Sequence, residues 1–111
     1  MKDEHEFFDT SALLWSPDPS ITGVSHKALS RDESGAATQL TRWEAGLDTS
    51  LEGVIRHDFA EEVYLLSGEL TDLSLKQTFL AGSYTSRQPD MPHGPYVTRT
   101  GCIMLVITTP T

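Results

Sequence analysis

Two residue types stand out for chemistry in the segment HDFAEE: His57 and Glu61, four positions apart. In an extended chain residues of equal parity face the same side. Ile55, His57, Glu61, Val63 and Leu65 would therefore share one face, with Glu62, Tyr64 and Leu66 on the other. An imidazole and a carboxylate on an otherwise apolar face need a partner, because burying them alone costs roughly several kcal/mol. A divalent metal ion is such a partner, since it takes neutral imidazole and ionised carboxylate. A second imidazole is available at His93, held in the rigid run Pro92-His93-Gly94-Pro95. Two histidines with one carboxylate form a ligand set suited to Fe, Zn, Ni or Mn.

Other residues are candidates for the wall of a pocket around these three. Ile55, Glu62, Trp43, Arg87 and Met91 are taken as that set. Each has an ordinary alternative. Glu62 reads as a solvated outer carboxylate unless a one-residue bulge exchanges it with Glu61. Arg42, Arg56, Arg87 and Arg99 could each pair bidentately with an acidic ligand, or simply form surface ion pairs. Trp43 and Tyr84 would line a pocket mouth or pack in the core. His26 reads as a structural histidine, and Cys102 as an inert packed thiol. The chain has no Ser-His-Asp order, phosphate-binding loop or dinucleotide fingerprint.

The elements that would position these residues are strands. ITGVSHKAL (21–29) and ATQLTRWEA (37–45) alternate in the manner of strands. EEVYLL (61–66) is expected to close at Ser67-Gly68 and to pair with LSLKQTFL (73–80). Ala81-Gly82 turns into SYTSRQ, PDMPHGP interrupts the chain, and CIMLVITT (102–109) reads as a buried strand. Short strands punctuated by Gly and Pro argue for an all-β sandwich or barrel. Nothing sustains a helical period over a dozen residues. Residues 1–20 read as an N-terminal arm in which Pro17 and Pro19 stop any regular element, and residues 21–111 as the barrel.

Composition narrows the partners. The chain has 111 residues, a length that suits one domain. Eight basic against sixteen acidic residues give a net charge of −8, which repels phosphate backbones and anionic lipid surfaces. Nucleic acid and membranes are thus excluded as expected partners. The longest apolar run, Cys102 to Ile107, is too short to span a bilayer. The acidic start MKDEHEFF does not read as a signal peptide. A single cysteine suits a reducing, cytoplasmic setting. Phe7, Phe8, Leu13, Leu14 and Trp15 in so short a chain suggest a homodimer.

The order Gly53, His57, Glu61, Gly68, Gly82, Pro89, His93 resembles the two motifs of the cupin superfamily, G-x5-H-x-H-x3-4-E-x6-G and G-x5-P-x-G-x2-H-x3-N. Glu61 to Gly68 fits E-x6-G, and His57 with Glu61 fits the second histidine and glutamate of the first motif. Over roughly residues 22 to 108, the chain is similar to short cupins related to the ChrR-type anti-sigma factor domain. It departs from the pattern at Ile55, where the first histidine would stand, and at Pro89 to His93, which is one residue shorter and lacks the glycine. The terminal asparagine is absent too. The resemblance implies a double-stranded β-helix, or jelly-roll, cupin barrel with His57, Glu61 and His93 as metal ligands. It also implies a small-molecule ligand. Three functions follow from it: a metal-dependent enzyme of the oxygenase, isomerase or lyase kind; a metal or ligand sensor; or a metal-free binding module.

Overall fold

The computed structural model describes residues 1–111. Its strands are β1 (Ser16–Pro17), β2 (Val24–Arg31), β3 (Ala37–Trp43), β4 (Ala60–Asp72), β5 (Gln77–Leu80), β6 (Tyr84–Arg87), β7 (Tyr96–Val97) and β8 (Cys102–Thr109). The helical content is two short 3-10 turns, Thr10–Ala12 and Ser50–Glu52. The fold is all-β and antiparallel, as the strand-and-turn rhythm predicts.

The order β1-β2-β3-β8-β4-β5 runs across the molecule, and β6 and β7 also pair with β4. The thirteen-residue β4 organises the barrel by serving two sheets. Its first half pairs with β8 and β6, and its second half with β5 and β7. This corrects the expected hairpin between EEVYLL and LSLKQTFL. The chain does not turn at Ser67-Gly68; it makes a bulge between Leu65 and Ser67 and continues as strand to Asp72. The turn comes at Leu73–Lys76, so β5 meets the second half of β4 while β6 takes the first half.

Gly68 explains how a turn-like dipeptide sits inside a strand. Its φ is +79°, and a Cβ there would lie 2.0 Å from the Gly101 carbonyl oxygen. Only glycine allows β8 to approach so closely at the bulge.

Apolar inner-face side chains of β4, β8 and the neighbouring strands fill the centre. Leu65, Leu70, Tyr96, Cys102, Met104 and Val106 form the buried cluster, with Trp43, Val63 and Phe79 packed on it. Along β4 the alternation inferred from parity holds up to the bulge: Leu65 is buried, while Tyr64 and Leu66 are exposed.

The arm contains more regular structure than its prolines suggest. Ser16 and Pro17 pair with His26 and Ser25 at the free edge of β2, where a residue without an N–H is tolerated. Trp15 lies over the outer face of β2 and β3, between Lys27 at 4.8 Å and Arg42 at 4.4 Å. Phe7 and Leu14 remain exposed.

Candidate metal centre

Two irregular segments and one strand bring the candidate ligands together. Glu61 is the second residue of β4, and its inward direction follows from the pleat. His57 precedes the strand, just before the bend at Asp58–Phe59, so local packing rather than strand parity aims it. Its ring stacks on Phe59 at 4.5 Å and 11°. The Ile55 amide donates to the His93 carbonyl at 2.8 Å, and the His93 amide donates back to Ile55 at 2.9 Å. One step further the Asp90 amide donates to the His57 carbonyl at 2.7 Å. The two histidine segments are thereby clamped as a short antiparallel pair.

The consequence is a cluster in which one nitrogen or oxygen from each of His57, Glu61 and His93 lies within 4.8 Å of the others. His57 and His93 have ring centroids 5.0 Å apart. His93 Nε2 is buried and has no hydrogen-bond partner. An orphaned buried nitrogen is costly, and a coordinated ion would satisfy it. Burial, and then the nearby Arg87 charge, push the His93 pKa down to about 4. The ring is therefore neutral at pH 7, the state in which imidazole binds a metal. The donor set fits a divalent ion.

Around the cluster lies a ring of hydrogen bonds. Arg87 Nη1 donates to Glu61 Oε1 at 3.0 Å, and Arg87 Nη2 donates to the Tyr96 hydroxyl at 2.6 Å. The same hydroxyl lies 3.1 Å from His93 Nδ1. If Nδ1 carries the proton and donates to Tyr96, Nε2 presents its lone pair to the centre. Tyr96 is 5% exposed, and burial pushes its own pKa up to about 12. It therefore stays protonated. Sequence reasoning missed Tyr96, which stands on a two-residue strand with no periodic signal.

The cavity containing the three candidate ligands has a volume of about 250 Å³ and is also lined by Ile55, Trp43 and Arg87. A second chamber of about 170 Å³ lies behind the wall formed by Val63, Arg87, His93 and Tyr96, and Met91 lines that chamber instead. Glu62 is a correction to the expected pocket set. It takes the outer face, where the Tyr84 hydroxyl donates to its Oε1 at 2.6 Å, because the bulge that could have turned it inward falls after Leu65. The other arginines are occupied elsewhere: Arg42 on Trp15, Arg56 on the Asp90 carbonyl, and Arg99 forked onto Glu69.

Comparison with known proteins agrees with this fold. The family model described as ChrR Cupin-like domain matches residues 3–111. No curated protein matches the sequence. Among solved structures, an RmlC-like cupin from Shewanella frigidimarina overlays with a TM-score of 0.75 at 20% identity, covering 99% of this chain and 94% of that one. An acetylacetone dioxygenase from Acinetobacter johnsonii gives 0.73 at 16% identity, covering 96% and 74%. A longer Nostoc punctiforme protein gives 0.82 at 17% identity over 92% of this chain, which spans only 35% of that protein's length. At such identities the overlays establish the jelly-roll fold.

Proposed function

The chain belongs to the ChrR cupin-like domain family, and from that membership we propose that it is a metal-binding cupin acting on a small oxygen-bearing organic molecule. His57, Glu61 and His93 hold the ion. The observation that carries this reading is the buried, unpartnered His93 Nε2 within 4.8 Å of donor atoms from His57 and Glu61. Three protein ligands leave positions open, and a divalent ion there supplies Lewis-acid polarisation of a ligand oxygen.

The chain's own residues do the rest. Tyr96 and Arg87 fix the orientation of His93 and Glu61 through the hydrogen bonds described above, as outer-shell partners do in metal sites. Trp43, Val63, Met104 and Val106 give the cavity an apolar wall that favours a compact organic ligand over a polymer. The similarity to an acetylacetone dioxygenase structure supports an oxygenase, with isomerase and lyase chemistry as the other outcomes of a substrate screen.

One observation favours a second reading, a metal-free binding module. Arg87 already neutralises Glu61 across a 3.0 Å ion pair, so the carboxylate has a partner without an ion. Cobalt substitution separates the two readings. In a metal centre, Co²⁺ develops visible bands characteristic of histidine and carboxylate ligation, and acetohydroxamate shifts them by entering an open position. Absence of those bands at saturating Co²⁺ supports the metal-free module.

A further inference from the structure

The inner face of the barrel carries a second polar group on β2 and β3, across β8 from Glu61. Cross-strand register aligns His26 of β2 with Thr41 of β3, and Thr41 with Met104 of β8. One pair along, Gln39 stands beside Val106, which stands beside Val63 of β4. His26, Gln39 and Thr41 line the same cavity as the three candidate metal ligands. Asp18 joins them from the arm.

Their hydrogen bonds form a directed chain. His26 Nε2 lies 2.8 Å from Asp18 Oδ2. Burial raises the Asp18 pKa, but hydrogen bonds from His26, Ser20 and Ile21 outweigh that and hold it below its ordinary value. Asp18 is thus a carboxylate and accepts the Nε2 proton. With the ring neutral, His26 Nδ1 is an acceptor, receiving from the Thr41 hydroxyl at 2.9 Å or the Gln39 amide at 3.2 Å. Gln39 Nε2 also donates to Thr41 Oγ1 at 3.2 Å. With its NH₂ turned to the ring and the hydroxyl, Gln39 keeps its Oε1 as an acceptor that meets no donor within the chain. Asp18 fixes the tautomer, and the tautomer fixes the amide.

We infer that Gln39 Oε1 is a ligand-recognition group at the far end of the metal cavity, and that the ligand is bifunctional. One end carries an anionic oxygen for the ion and Arg87; the other carries a hydroxyl or N–H for Gln39. The middle is apolar, lying over Met104, Val106 and Val63. Gln39 and Glu61 are separated by β8 and by two residue steps, about 12 Å between backbones. A small aromatic or short aliphatic body with polar groups at opposite ends suits that gap. Arg87 contributes at the first end with an Nε–H that makes no hydrogen bond inside the chain. This inference rests on the preceding reading for the choice of which end takes the anionic oxygen.

The test uses the full chain with Trp15→Phe, which leaves Trp43 as its one tryptophan, and two probes of matched shape, 4-hydroxybenzoate and 4-methylbenzoate, with Trp43 fluorescence as the readout. The hydroxyl probe is expected to bind roughly fivefold to tenfold more tightly, the effect of one well-placed hydrogen bond. In Gln39→Met, which keeps the length and removes the acceptor, the ratio should fall to about one. Equal binding of the two probes, binding of neither, or a preference that survives in Gln39→Met would overturn the inference. Metal content is measured on the same samples. A chain that takes up no metal contradicts the metal reading, while the probe ratio still decides the role of Gln39.

Discussion

Arg87 and Glu61 face each other across β6 and β4 at the edge of the cavity, joined at 3.0 Å with both side chains 14% exposed. An ion pair so placed both orients and competes. It holds the carboxylate toward His57 and His93, and it supplies the positive charge that a metal would otherwise bring. Metal-free protein should therefore depend on Arg87 more than metal-loaded protein does.

Arg87→Met tests that dependence. Removing one partner of a largely buried pair leaves a charge uncompensated, at a cost of about 2–4 kcal/mol. The metal-free variant should melt several degrees lower than the parent, and saturating Zn²⁺ should recover most of the loss. Equal melting losses with and without metal, followed by differential scanning fluorimetry, would show that the ion and Arg87 do not share Glu61.

Tyr96→Phe removes only a hydroxyl. The ring keeps its edge contact with Trp43 at 5.9 Å, but Arg87 Nη2 and His93 Nδ1 both lose a partner. Metal affinity, measured by chelator competition, should weaken by about tenfold, the usual effect of deleting an outer-shell hydrogen bond. An unchanged affinity would mean that Phe59 packing and the backbone clamp alone orient the histidines.

Much of this arrangement is legible in the sequence, and what is not has physical causes. HDFAEE and PHGP announce three candidate ligands by residue type, and alternation places Val63 and Leu65 inward with Glu61. Parity alone does not aim His57, since the chain bends at Asp58–Phe59. The run of β4 through Gly68 is hidden because a glycine bulge and a turn share one signature. Tyr96 and the Arg87–Glu61 pair depend on register between segments distant in sequence. The pairing of Ser16–Pro17 is hidden by a proline that is tolerated only because it lies at a sheet edge.

Gly68→Ala tests the bulge. The added Cβ meets backbone of Gly101 and Cys102, which cannot move aside as a side chain can, and the φ of +79° is strained for alanine. Urea unfolding should show a loss of about 2–4 kcal/mol. A loss under about 0.5 kcal/mol would mean that β4 and β8 separate freely at this point.

Cys102 gives a pH prediction. The residue is 4% exposed, and burial pushes its thiol up to about 11, against an ordinary value of about 8.5. The unfolded chain therefore releases this proton first. Its contribution to stability is complete below about pH 8.5 and is lost as the pH rises through about 11. Cys102→Ala should flatten the fall in urea midpoint between about pH 9 and 11. An identical alkaline slope in the variant would assign the loss to other groups, such as Tyr96.

The most direct measurement is bound metal, by mass spectrometry and chelator competition at neutral pH, for the parent, His93→Ala and Ile55→His. All three proteins are first exposed to Fe²⁺, Zn²⁺, Ni²⁺ and Mn²⁺. The account predicts about one ion per chain in the parent, most of it lost in His93→Ala with the barrel still folded, because three ligands share one binding free energy. Ile55 lines the cavity and pairs with His93 through both backbone hydrogen bonds, so Ile55→His should bind more tightly than the parent. A parent that takes up no divalent ion, or one that keeps its ion without His93, would contradict it.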